Sequence, residues 1–257
     1  MSDDLSPIDA AKSAAALRAA GYVKSGMKVG LGTGSTAAFL VSHLGRMVRE
    51  EGLEIVGVPT STRTADQARA EGIPLTTLDA AKWLDVTIDG ADEYDADLAL
   101  IKGGGGALLH EKVVATASDR MIVIADESKF VPTLGAYPLP VEVLGFGMAT
   151  TQMLLEEMLE GLDVAGTKAV PRLSDGTLFV TDEGNHILDL HLGRIGNARQ
   201  LSLVLNQVPG VVENGLFVDI CDICITAFED GSIELRDLHS DQIETSGVKN
   251  IFADLAD

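Results

Sequence analysis

The sequence predicts an α/β protein: a Rossmann-like, mostly parallel sheet with helices on both faces, plus a smaller ferredoxin-like α+β domain. Three observations carry this. The first half alternates apolar strand runs with helical patterns. Those runs are apolar throughout rather than at every second residue, as expected where both faces of a parallel sheet are covered. After Phe130 the rhythm changes to β-α-β-β-α, the order of a ferredoxin-like unit. On this reading residues 1–130 and 209–257 form the α/β domain and 131–208 the small α+β domain. A chain of 257 residues that is 46% hydrophobic has ample material for these cores.

Each element follows from local pattern. Pro7 to Ala20 is Ala-rich, with Pro7 tolerated in the first turn and Gly21 as a stop, so it reads as a helix. MKVGL (Met27 to Leu31) is a strand and Ser35 to Glu50 a helix. EIVGV (Glu54 to Val58), LDVTI (Leu84 to Ile88), Leu98 to Ile101 and MIVIA (Met121 to Ala125) read as strands. Between them, Thr62 to Glu71 and Gly106 to Ser118 read as helices. In the second half PLPVEVL (Pro138 to Leu144) is a strand and Thr150 to Leu162 an amphipathic helix. LFVT and HILDL pair across a turn at Asp182 to Asn185, Asn197 to Gln207 is a helix, and GLF and DICITA return to the first sheet.

Composition bounds the partners. A net charge of −20 argues against nucleic acid, whose phosphates repel an acidic surface, while leaving room for a small anion where lysines and backbone amides converge. Much of the acid lies in Glu229 to Asp257, the pattern of a solvated tail. The N-terminus MSDDLSPIDAAK is too polar and acidic for a secretory signal or transit peptide, and no apolar run approaches the roughly 20 residues of a bilayer span. Cys221 and Cys224 form a C-x-x-C, but within FVDICDICITAF they read as strand residues whose thiols face opposite ways. The expectation is a cytoplasmic protein with no membrane partner, no nucleic-acid partner and no metal.

Four motifs carry chemistry. Gly30-Leu-Gly-Thr-Gly-Ser-Thr follows a strand and opens a helix, where free N–H groups and the helix dipole favour an anion. Gly32, Gly34 and Ala37 also fit G-x-G-x-x-A, yet the second strand ends Val58-Pro59-Thr60, without the acid that would hold a ribose, so a monophosphate is the better fit. Asp89-Gly90-Ala91-Asp92-Glu93 follows LDVTI, which puts acids in the crevice where such sheets bind ligands, and taken alone reads as an Asx-rich turn or a magnesium site. Lys102, which comes soon after, argues against the metal. Lys102 leads into Gly103 to Gly106, a run that lets the backbone approach something closely.

In the helix that follows, Glu111 has Ala107, Leu108, Val114 and Ala115 at i±3 and i±4, an apolar setting that would raise a carboxylate's pKa and suit a proton-carrying base. The helix is apolar nearly all round, so the pattern does not decide which of His110, Glu111 and Lys112 faces inward. Asp126-Glu-Ser-Lys129 follows MIVIA. GTGST, DGAD, KGGGG and DESK thus all follow strands assigned to one sheet, and ligands gather at the carboxyl ends of such strands.

GLGTGSTA, DGADE, KGGGGALLHEK, IADESK, PLPVEV and PGVVENGLF, in this order and at this spacing, resemble the A-type ribose-5-phosphate isomerases, over residues 7 to 228. The resemblance implies interconversion of D-ribose 5-phosphate and D-ribulose 5-phosphate with no metal or organic cofactor. It implies that Glu111 is the general base, that Asp89 and Asp92 assist ring opening, and that Lys102 with the glycine amides stabilises the oxyanion. Lys12, Thr33, Gly34, Ser35, Thr36, Gly90, Ala91, Gly103, Gly104, Gly105 and Lys129 then line the substrate together with Asp89, Asp92 and Lys102. It also implies a homodimer or homotetramer. Two features depart from the family: His110 stands where an arginine is common, and the tail 229–257 runs past the usual end.

Overall fold

The computed structural model describes residues 5–238 and 242–246. In chain order the first elements are α1 (Pro7–Ala20), β1 (Lys28–Leu31), α2 (Ser35–Glu50), β2 (Val56–Pro59), α3 (Thr62–Ala70) and α4 (Leu78–Ala81). Next come β3 (Val86–Asp89), β4 (Glu93–Tyr94), β5 (Leu100–Ile101), α5 (Leu108–Thr116) and β6 (Met121–Asp126), which ends in a 3-10 turn, Glu127–Lys129. They are followed by β7 (Leu139–Val143), α6 (Met148–Leu159), β8 (Lys168–Pro171), β9 (Leu173–Ser174), β10 (Thr177–Leu178) and β11 (His186–His191). The last are α7 (Ala198–Leu205), β12 (Val211–Asn214), β13 (Leu216–Phe217), β14 (Ile223–Ala227), β15 (Ile233–Asp237) and β16 (Gln242–Ser246).

The chain packs as two units: one runs up to Gly90 and includes Val113–Lys129 and the chain from Ile220, the other comprises Ala91–Lys112 and Phe130–Asp219. The boundaries expected from sequence assign 91–112 and 209–219 to the opposite unit from this division.

The first unit holds a seven-stranded sheet in the order β16-β15-β14-β6-β3-β1-β2. Its five strands from β14 to β2 are parallel, and β15 and β16 extend it antiparallel. Alternate residues of these strands (Val29, Leu31, Val86, Ile88, Ile122, Ile124, Ile223 and Ile225) share one core with the alanines of α1 and with Leu40, Val41 and Leu44 of α2. On the opposite face Val58 packs with Ala81 of α4 and Val114 of α5. That is the expected doubly covered parallel sheet, and it explains the unbroken apolar strand runs. Part of the acidic tail from Glu229 onward thus forms the sheet edge; the rest of the region from His239 lies outside the described residues.

The second unit holds a four-stranded antiparallel sheet, β12-β7-β11-β8, with α6 and α7 packed on it around Leu139, Val141, Leu155, Leu188, Leu190 and Leu201. This is the ferredoxin-like unit. Its second strand is β8 rather than LFVT. Leu178 and Val180 stand 44% and 56% exposed, and Leu178 joins only the small β9–β10 hairpin. A second correction concerns GLF. DICITA pairs in parallel with β6 in the large sheet, but Leu216–Phe217 pairs with β5 in a separate three-stranded sheet, β13-β5-β4. Lys102-Gly-Gly-Gly-Gly therefore follows that small sheet, not the large one. The strand leading into it is only two residues long and already has β4 and β13 on its two sides. Cys221 precedes β14 rather than lying on it; both cysteines are buried free thiols, and burial pushes Cys221 well above the usual thiol range.

Candidate active site

In the first unit, β1 delivers the chain to Gly32, Thr33 and Gly34. A Cβ on Gly32 would lie 2.1 Å from Asp89 Oδ1, so glycine is what allows the fully buried Asp89 to sit against this backbone. Asp89 Oδ1 accepts from Thr33 N–H at 3.0 Å and from Gly90 N–H at 2.7 Å. The carboxylate thereby joins the ends of β1 and β3. Gly34, at φ 110°, caps the 16-residue helix α2 with no side-chain cap bond, and a Cβ there would meet nothing within 4 Å. Backbone donors at the start of a long helix, reached over an open glycine, are the elements of an anion site. Ser35 is exposed and Thr36 buried beside them.

The Thr33 hydroxyl is engaged differently from the expectation. It bonds Thr60 Oγ1 and Ser61 Oγ, each at 2.8 Å, and Thr64 Oγ1 at 3.2 Å, while Thr64 Oγ1 donates to Gly32 O. This hydroxyl cluster, supplied by the segment after β2, sets the loop's shape. The pattern Thr60-Ser61 with Thr64 was visible in the sequence, but only the pairing of β1 with β2 shows its use. At the end of β6, Asp126 is buried and its Oδ1 accepts from the Ser128 N–H and hydroxyl, fixing the turn that carries the partly buried Lys129. Lys12, on α1, lies 3.8 Å from Asp9.

In the second unit the first turn of α5 brings Glu111 to Lys102. Lys102 Nζ lies 3.4 Å from Glu111 Oε2, and the two residues are 2% and 3% exposed. Lys102 also stands 5.4 Å from the centre of the buried Phe217 ring. Two opposite charges this deep out of water serve as each other's counter-ion, and removing either leaves a buried charge without that counter-ion. Asp92, one turn of chain away, accepts the Gly104 N–H on Oδ2 at 2.7 Å. A Cβ on Gly104 would fall 2.5 Å from Asp92 Oδ1 and 2.6 Å from the Tyr137 hydroxyl, so this glycine permits the close approach expected of it. Burial first, and then the Asp92 charge, raise the Tyr137 phenol above its ordinary value.

The structure answers the question left by the apolar helix. Glu111 and Lys112 are both inside, while His110 bonds Glu183 Oε1 at 2.7 Å on the outside. Lys112 donates to Glu213 Oε1 at 2.9 Å and Asn214 O at 2.6 Å. Glu93 of the DGADE motif turns out to be a fastener: it accepts the Gly135 and Tyr137 amides. Phe217, Tyr137 and Glu213 escaped the sequence reading, because nothing local marks a residue that meets the site from a distant strand or loop. Among the described residues no three His, Cys, Asp or Glu side chains are grouped as they would be around a metal ion. No helix among them is long and apolar enough to cross a membrane.

Fold and groups together define a class: an α/β protein with an uncapped helix N-terminus suited to an anion and a buried carboxylate–ammonium pair suited to proton transfer. The comparisons make it specific. Residues 56–231 match the family model of ribose 5-phosphate isomerase A (phosphoriboisomerase A). A ribose-5-phosphate isomerase A from Ruegeria sp. (strain TM1040) is 63% identical over 262 residues, covering 100% of both chains, so the likeness runs through the tail. The ribose 5-phosphate isomerase of Plasmodium falciparum superposes with a TM-score of 0.85 at 36% identity, covering 90% of this chain and 99% of that one. A D-ribose-5-phosphate isomerase in complex with phospho-erythronic acid superposes at 0.83 with 36% identity and the same coverage. The chain belongs to the ribose 5-phosphate isomerase A family and is an isomerase of that kind.

Proposed function

We propose that the enzyme interconverts D-ribose 5-phosphate and D-ribulose 5-phosphate through an enediolate, with Glu111 as the general base. The observation that carries this is the buried Lys102–Glu111 pair at 3.4 Å. In the forward direction the Glu111 carboxylate takes the proton from C2 of the open-chain aldose, the C2–H electron pair forms the C1–C2 double bond, and the carbonyl electrons move onto O1. The same carboxyl then returns the proton to C1 as the O2 hydroxyl gives up its proton to form the C2 carbonyl and O1 gains one, and a single positioned acid–base group performs the carbon transfer in both directions. The charge that develops on the enediolate oxygens is met by Lys102 and the amides of Gly103 and Gly105, while the Gly104 amide holds Asp92 beside them. Asp89 and Asp92 assist the opening of the furanose ring and carry the protons exchanged on the sugar hydroxyls, from O2 to O1 among them.

The phosphate is held by the amides of Gly34 to Thr36, by the hydroxyls of Ser35 and Thr36 and by Lys12 and Lys129, with Thr33 shaping the loop and Gly90 and Ala91 lining the sugar. Binding energy gathered there, remote from C1 and C2, positions the reacting carbons. A relative's complex with phospho-erythronic acid, a phosphorylated sugar acid, supports a site that pairs a phosphate grip with an anionic reaction centre. The enzyme acts in the cytoplasm, in the non-oxidative branch of the pentose phosphate pathway, as a homodimer or homotetramer.

The test is Glu111→Gln, which keeps shape and removes the base. Turnover of ribose 5-phosphate should drop by about 10⁴-fold or more while phospho-erythronic acid still binds. Near-normal turnover would remove Glu111 from the role of base.

A further inference from the structure

One side chain with no role so far touches the Gly-rich loop at two points. Arg172, the residue after β8, donates from Nη1 to the carbonyl oxygens of Gly103 at 2.7 Å and Gly104 at 3.1 Å. Its remaining edge is held by Asp189 on β11, Nε to Oδ2 at 2.9 Å and Nη2 to Oδ1 at 2.5 Å. The Phe179 ring lies 5.9 Å from the guanidinium carbon. The same ring occupies the space a Cβ on Gly106 would need, with Cζ 2.3 Å away.

The consequence follows from peptide geometry. No cis bond occurs here, so each carbonyl points opposite to the N–H of the next residue. Holding Gly103 O turns the Gly104 N–H away from Arg172, and that N–H is the one that reaches Asp92 Oδ2. Holding Gly104 O turns the Gly105 N–H away from Arg172 in the same manner. Consecutive glycines have wide conformational freedom, and this clamp adds to the turn bond from Gly106 N–H to Gly103 O and to the Asp92 bond in narrowing it. The contact to Asp189 uses one edge of the flat guanidinium fork, Nε and Nη2, which leaves Nη1 to reach both loop carbonyls at once; an ammonium has no such edge and cannot serve both partners in this geometry.

We infer that Arg172, anchored by Asp189, is a positioning residue for the isomerisation: it aims the Gly105 amide at the oxyanion and holds the Gly104 amide on Asp92. The inference rests on the assignment of those amides made above. It is tested with Arg172→Lys and Arg172→Ala in the full-length enzyme, measured beside Glu111→Gln with ribose 5-phosphate. Both arginine variants should lose about 100-fold in kcat, the size expected for misplaced oxyanion donors, with KM nearly unchanged. Millimolar guanidinium should restore part of the kcat of Arg172→Ala and none of that of Glu111→Gln. A kcat for Arg172→Lys within about threefold of the wild type overturns the inference, as does a loss confined to KM. So does an alanine variant that guanidinium fails to rescue; if that variant does not fold, the lysine variant decides. Turnover by Glu111→Gln would instead sink the assignment of the base, whatever Arg172 does.

Discussion

Two lysine–glutamate pairs lie against one ring in this molecule, and they are built differently. Lys112 and Lys102 stand 5.0 and 5.4 Å from the centre of Phe217. Lys112 is saturated by Glu213 and by Asn214 O, and Glu213 Oε1 also accepts from Asn206 Nδ2 and Asn214 N–H. Lys102 and Glu111 are deeper, with side chains 3% and 4% exposed against 12% and 19%, and their charged atoms are farther apart. Buried ion pairs contribute little net stability compared with apolar packing, so a deep pair at 3.4 Å is better explained by chemistry than by folding. The shallower pair, bonded also to Asn206 and Asn214, is a strut. Adjacent residues of one helix, Glu111 and Lys112, thus serve opposite ends.

The titration of the strut supports the division. Burial lowers the Lys112 pKa, and Glu213 only partly opposes it. Burial pushes Glu213 upward, but Lys112 and the bonds from Asn214 and Asn206 outweigh it, leaving its pKa below the ordinary 4.5. The two shifts are compatible: the cost of burial falls on the more buried lysine, and the attraction shows on the more exposed glutamate.

The largest effect that separates the pairs is expected from Lys102→Met. It removes the cation beside the proposed base, and kcat should fall by about 10²- to 10³-fold. A kcat within about tenfold of the wild type would erase the distinction drawn between the pairs.

Glu213→Gln should do the reverse: kcat stays near the wild-type value, while denaturant unfolding at neutral pH shows a loss of roughly 2 kcal/mol, below the full cost of breaking a buried pair because Glu213 is partly exposed. Because the folded-state pKa of Glu213 is depressed, its contribution is complete above the unfolded value and fades as pH falls through the folded one. The variant and the wild type should therefore converge in stability below pH 4.5; a difference that stays constant into that range contradicts the strut.

The smallest effect sharpens the other region. Lys129→Ala should raise KM for ribose 5-phosphate by about tenfold with kcat retained, as a remote phosphate contact does. An unchanged KM would take Lys129 out of the substrate site.

Much of this was legible in the sequence because it is local. Apolar strand runs gave the parallel sheet, and the glycines at 32 and 104 marked close approaches that Asp89 and Asp92 occupy. What was not legible depends on pairing over long separations. Nothing near residue 172 says that its guanidinium meets residues 103 and 104, and nothing near Phe217 says that it meets two lysines. LFVT carries a strand's composition yet stays half exposed, because β8, with Pro171 at its end, takes the place beside β11. The helix bearing Glu111 is apolar on every side, so periodicity had no face to choose. Only the partners, Lys102 for one residue and Glu213 for its neighbour, tell them apart.

The central claim is that Glu111 moves the C2 proton, and label release tests it most directly. Ribose 5-phosphate deuterated at C2 is incubated with wild type, Glu111→Gln and Glu213→Gln, and departure of deuterium from C2, to C1 or to water, is followed by NMR. Wild type and Glu213→Gln should release the label at similar rates, and Glu111→Gln should leave it in place. Release by Glu111→Gln at the wild-type rate would contradict the account.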